Sequence, residues 1–209
     1  MMTPDAALTP LGVLVLALLR EGDMHPYEMM RLLRDRREDR MVKITNGTFY
    51  HTVARLERAG LIAEVGVDRD GNRPERTTYT LTDARPAALE DWVRAHLGHS
   101  DGAQNFRVAL GEAHNLDRAE VTALLTARRD ALAAEYAALS AGLHSARARP
   151  VSEQYIIELD RYITLLSADI DWTDTLLTRL AGHDFPWGDD ELTPEHRAVN
   201  EAMRKAAQK

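Results

Sequence analysis

The apolar positions of the first hundred residues fall into three helical blocks, two strand-like blocks and a fourth helical one. Thr9-Pro10 supplies a cap and a proline suited to a first helical turn, and Leu11, Leu14, Val15, Leu18 and Leu19 follow as one stripe. Val13 and Leu16 leave that helix little polar face, so it is expected to be a buried rod. A second helix is predicted from His25-Pro26, with Tyr27, Met30, Leu32 and Leu33 inward and Arg31, Arg34, Arg36 and Arg37 outward. After a polar link, Glu38 to Ile44, comes the stretch on which the chain turns. Thr45 or Asn46 caps a third helix whose apolar positions are Phe49, Val53 and Leu56, and Gly60 is placed to end it in a left-handed conformation. The face opposite carries Thr48, His51, Thr52, Arg55 and Arg58, all donors or cations, with Glu57 the single acid of the helix. A helix apolar on one side and donor-rich on the other suits a DNA major groove.

Beyond Gly60, Leu61 to Val67 reads as a strand, Asp68 to Arg76 as a turn or long hairpin loop, and Thr77 to Leu81 as a second strand. Three helices followed by a two-stranded ribbon is the order of a winged helix-turn-helix, the loop being the wing. Thr82 or Asp83 then caps a fourth helix through Leu89, Trp92, Val93 and Leu97. The expected fold is mostly α with a small β-ribbon. An N-terminal winged helix-turn-helix domain takes residues 1–97, and a C-terminal antiparallel helical domain takes residues 98–182.

That second half is read as helical throughout. Asp117 caps a long helix to about His144, with Leu125, Leu132 and Leu139 seven residues apart. After the break at Arg147 to Pro150, Ile156, Leu159, Ile163, Leu166, Ile170, Thr173, Leu177 and Leu180 step by three and four without interruption, a heptad seam. Such helices can pair within one chain as a hairpin or across a dimer; Tyr155, Tyr162 and Leu176 widen the seam toward a second face. Residues 183–209 differ in character: Phe185 and Trp187 could dock, and Thr193-Pro194 could open a short polar helix to about Ala207.

Charge changes the picture only once it is localised. The chain carries a formal −7, yet residues 1–85 hold 13 basic and 13 acidic side chains, so the excess lies wholly in residues 86–209. Arg31 to Arg58 is locally positive, and phosphate responds to that patch rather than to the total. There is no cysteine, which excludes disulfides and thiol chemistry and suits a reducing compartment. The longest apolar run, Leu11 to Leu19, falls short of the roughly 18 residues that cross a bilayer, so no membrane partner and a cytoplasmic location are expected.

The ordered set Gly47-Thr48-Phe49-Tyr50, Arg55-Leu56-Glu57, Ala59-Gly60-Leu61-Ile62, Arg73-Pro74-Glu75-Arg76-Thr77 and Tyr79-x-Leu81-Thr82, with Tyr27-Glu28 before it, resembles the PadR family of transcriptional regulators over residues 9–97. It departs at His51, where the family usually has proline, and at Arg85, where a glycine often stands. The resemblance implies a homodimeric, ligand-responsive repressor of a palindromic operator in double-stranded DNA. Longer members are similar in dimerising through a C-terminal helical domain and in answering small aromatic or drug-like molecules. The expected DNA-binding residues are Lys43, Thr45, Asn46, Thr48, Tyr50, His51, Thr52 and Arg55, with Arg73 and Arg76 from the wing. Dimerisation falls to Leu125, Leu132, Leu139, Ile156, Leu159, Ile163, Leu166 and Ile170, and Tyr27 with Trp92 could line an effector site.

Other chemistry is thin. His96, His99 and His114 lack a patterned carboxylate, and Asp68-x-Asp70-Gly71 is a turn without the rest of a calcium loop. No nucleotide-binding glycine loop or nucleophile elbow is present, so no catalytic residue, metal or cofactor is expected. The competing reading is a winged-helix protein-interaction module that does not bind DNA.

Overall fold

The computed structural model describes residues 8–68, 76–82, 85–99, 103–182, 184–188 and 191–208. Helix α1 (Pro10–Arg20) is the axle. Thr9 Oγ1 accepts the Gly12 amide, and residues 11 to 16, with Leu18 and Leu19, are all buried. Helix α2 (Pro26–Asp35) starts on a capping box between His25 and Glu28, and helix α3 (Asn46–Arg58) on another between Thr45 and Thr48. Gly60, at φ +71°, lets the Leu61 amide reach back to the Leu56 carbonyl at 3.0 Å, which closes α3 and launches the ribbon.

Strands β1 (Ile62–Asp68) and β2 (Arg76–Leu81) pair antiparallel from Ile62–Leu81 to Asp68–Arg76, with an irregularity between Glu64 and Gly66. Met24 and Tyr79 exchange backbone hydrogen bonds, each 3.1 Å, and so tie the ribbon to the turn between α1 and α2. The predicted winged-helix order is therefore present, its strand limits within one residue of expectation.

The core does not stop at residue 97. Because α1 is apolar on every side, the three-helix unit alone would leave part of it wet. Helices α4 (Arg85–Leu97) and α5 (Ala103–Gly111) cover that side, and Phe106, Val108, Ala109, Val121 and Leu125 belong to the same continuous core. The long helices α6 (Arg118–Arg147) and α7 (Ile157–Ala181) then leave this body as an antiparallel hairpin with its own small cluster of Leu143, Ile156 and Ile163. Arg128 fastens the hairpin to the body. It is buried, lies 3.7 Å over the Phe106 ring, pairs with Asp169 at 3.1 Å and donates to the His99 carbonyl.

The chain returns in helix α8 (Pro194–Ala207), which packs back on α2. Ala207 is buried and Met203 packs on the main core. The Arg204 guanidinium donates to the Glu21 carbonyl beside Gly22, which sits at φ +142° and where a Cβ would meet Arg204 Nη2 at 2.7 Å. Trp187 Nε1 donates to the Leu116 carbonyl at 2.8 Å. Among the described residues, no helix is long and apolar enough to cross a membrane, and no three His, Asp or Glu side chains gather as a metal group would.

Candidate nucleic-acid interface

Helix α3 presents one face to the core and one to solvent. Phe49, Val53 and Leu56 are buried, and Thr52 joins them at 5% exposure, its hydroxyl donating to the Thr48 carbonyl at 2.8 Å. This corrects the expectation that Thr52 meets DNA. Position 52 lies three after Phe49 and four before Leu56, on the apolar side, and a threonine tolerates that place by bonding its own helix. Asn46, Gly47, Thr48, Tyr50, His51, Ala54 and Arg58 form the exposed face, with Lys43 and Thr45 just before it. The Thr45 and Thr48 hydroxyls are taken up by the capping box, at 3.0 to 3.2 Å, so those two side chains hold the helix start before they hold anything else.

Arg55 also departs from its expected role. It is half-buried, with Nη2 donating to Thr9 Oγ1 at 2.7 Å and Nε buried without a partner. The same Thr9 oxygen caps α1, so Arg55 pins α3 to the axle. Thr9, Lys43, Gly47, Thr48, His51 and Arg55 border a shallow depression of about 510 Å³ beside the α3 N-terminus, where helix amides and dipole favour an anion.

Two supports for this face were missed in the sequence. From α5, Gln104 donates to the Met41 carbonyl at 3.3 Å and Arg107 to the Arg40 carbonyl at 2.9 Å. They brace the link leading into α3 from more than sixty residues away. No local pattern signals a bond to a distant carbonyl. Arg73 of the wing lies outside the described residues; Arg76 is placed by its backbone in β2, opposite Asp68, and its side chain lies outside them.

The expected dimerisation residues require a correction. Leu125, Leu132, Ile156, Ile163 and Leu166 are buried within the single chain, and Leu139, Leu159 and Ile170 are partly so. The α6–α7 hairpin fills its own seam, reinforced by Arg129–Asp174 at 2.8 Å and a Tyr162–Glu135 hydrogen bond of 2.9 Å. What remains exposed is the adjoining side of the hairpin: Leu165 at 49% and Trp172 at 45% on α7 with Tyr162 beside them, Ile157 at 62% at the start of that helix, and Tyr155 at 76% in the turn before it. The effector pair is corrected too. Trp92 is 3% exposed and stacked on His96 at 4.1 Å as a packing anchor, and Tyr27 is exposed at the start of α2.

Residues 15–91 match the model of the transcriptional regulator PadR-like family. Over those residues the winged-helix domain is similar to that family. Among solved structures, Bacillus subtilis PadR in complex with operator DNA is 21% identical with a TM-score of 0.40, the match covering 81% of this chain and 98% of that one. The same protein in complex with p-coumaric acid is 19% identical, TM-score 0.35, covering 83% and 100%. The PadR-like transcriptional regulator BC1756 from Bacillus cereus is 18% identical, TM-score 0.35, covering 81% and 97%. A comparison with curated protein sequences returned no match.

Proposed function

We propose that the chain is a sequence-specific transcriptional repressor that binds a palindromic operator as a homodimer and answers a small-molecule effector. The observation that carries the DNA-binding part is the solvent face of α3. Tyr50, His51 and Arg58 stand exposed on it, Lys43 and the capped helix N-terminus flank it, and the helix's one acid, Glu57, is only half exposed. Tyr50 and His51 read base edges, while Lys43, Asn46 and the first-turn amides hold phosphate. Arg73 and Arg76 extend the phosphate contact from the wing. A protein-interaction module would present acids or an apolar patch on α3, and neither is seen there.

The partner in the dimer is a second copy meeting the exposed stripe of α7, not the filled seam. Two reading helices in fixed relation suit two half-sites about one helical turn or a multiple apart. The test is to purify the full chain with fragmented DNA of its own genome and sequence what it retains. A recurring inverted repeat is the expected result. Retention of random sequence, or of none, would overturn the reading.

A further inference from the structure

A cavity of about 950 Å³ lies away from the solvent face of α3, where the end of α1, the turn after α2, the end of α5 and the returning tail meet. Leu18, Leu110, Phe185, Trp187 and Met203 give it apolar and aromatic walls. Its arginines are already engaged. Arg36 binds the Glu21 carboxylate, with one contact at 2.8 Å, Arg20 donates to Asn115, and Arg204 donates to the Glu21 carbonyl. Two carboxyls on the wall make no direct ion pair among the described residues, although the charge of Arg20 acts on Glu112 and that of Arg36 on Glu38. Glu112 is 8% exposed and accepts only from Asn115, at 3.1 Å from its side-chain amide, and Glu38 is in no ion pair among the described residues. Burial pushes the Glu112 carboxyl up to about 7, and the charge of Glu38 pushes the same way.

We propose that this cavity is the effector site and that its ligand is an organic cation, an amine on an aromatic or apolar body, with the ammonium seated between Glu112 and Glu38. The proposal rests on the reading of the chain as a ligand-responsive regulator. Two carboxyls that no ion pair neutralises disfavour one another's charge, which Arg20 and Arg36 offset only in part, and an ammonium donor satisfies both while the ring lies against Trp187 and Phe185. An anion of similar shape finds Arg20, Arg36 and Arg204 committed and two acids in its way. The position suits regulation. Glu38 opens the turn that runs directly into the link before Thr45, so a ligand held there bears on the approach to α3.

The test uses three probes of matched ring and differing charge on the full chain: tyramine, p-coumarate and neutral 4-ethylphenol. Binding is read by calorimetry and by Trp187 emission, against a Trp187→Phe control. Tyramine should bind at least tenfold more tightly than either other probe. Glu112→Gln and Glu38→Gln should each cost that preference about tenfold while far-ultraviolet circular dichroism stays unchanged. Near neutral pH, tyramine binding should release a fraction of a proton, seen as a dependence of the heat on buffer ionisation enthalpy, and Glu112→Gln should abolish it. Equal or tighter binding of p-coumarate, binding unaffected by both glutamines, or no binding of any probe overturns the assignment. Genomic DNA retention in the same preparation separates the two readings. Tyramine binding without an operator leaves the cavity standing and sinks the repressor, and an operator without tyramine binding does the reverse.

Discussion

Glu112→Gln makes a sharp test of how the helical body is held together. The Glu112 side chain is 8% exposed beneath the tail, and its carboxyl is raised from 4.5 to about 7, first by burial and then by Glu38. In the unfolded chain the group titrates near its ordinary value. Below about pH 4.5 both states hold the proton and the group makes no difference. Between about 4.5 and 7 the unfolded chain has lost its proton while the fold keeps it, so stability falls as pH rises. The slope approaches 1.4 kcal/mol per pH unit, and the loss reaches roughly 3 kcal/mol before it levels off above 7. Glu38, raised by burial as well, adds to the fall with the same sign. Glutamine is neutral throughout and keeps the bond from Asn115. Urea unfolding at pH 5, 6, 7 and 8 should therefore show wild type and Glu112→Gln converging at the acid end, with the variant more stable by about 2–3 kcal/mol at pH 8. Parallel curves, or a variant that loses stability at every pH, would refute a buried carboxyl held neutral.

His51→Ala should weaken operator binding by about 1–3 kcal/mol with thermal stability nearly unchanged, whereas Thr52→Val should leave the base preference intact; gel shift and melting on each sample check both. Phe49→Ala, at a site with no exposure, should cost roughly 3–5 kcal/mol of stability by urea unfolding. Leu165→Asp with Trp172→Asp should yield a folded monomer with weakened operator binding by sedimentation and gel shift, while Ile163→Asp should lower the melting temperature, because its place is filled within the hairpin. Arg107→Ala should leave tyramine binding unchanged in calorimetry but reduce the effect of tyramine on operator affinity, since it frees the Arg40 carbonyl.

The elements were legible because local signals agree there. Thr9-Pro10, His25-Pro26 and Thr45 cap where expected, Gly60 closes α3, and Thr193-Pro194 opens α8. Which face a polar residue occupies was less legible. Thr52 and Arg55 share the donor character of His51, yet one bonds its own helix and the other reaches Thr9, forty-six residues away. The heptad seam told that α7 needs an apolar neighbour and not whose. An antiparallel α6 satisfies the same spacing as a second chain would. The tail was legible in its anchors, Phe185 and Trp187, and in the start of α8, but not in where that helix returns. The return of α8 onto α2 rests on Met203, Ala207 and an arginine aimed at a backbone carbonyl, and none of these forms a periodic pattern.

Helix α5 explains how the cavity and the reading face can belong to one device. Near its start, Gln104 and Arg107 hold the carbonyls of Met41 and Arg40, which fixes the entry to α3. At its far end, Leu110 and Gly111 border the cavity, with Glu112 immediately after the helix. Nine helical residues span about 14 Å at 1.5 Å per residue, and a helix of that length moves as a unit. Its buried side, Phe106, Val108 and Ala109, is packed into the common core with α1, so it has few arrangements to choose from. A ligand that binds one of those arrangements better than another shifts the population toward it, by no more than its difference in affinity. The link before Thr45 is touched by α5 and followed at once by the residues proposed to meet DNA. A modest ligand preference at Glu112 therefore has a short, fully packed route to operator affinity, with no need for the two helical arms to move.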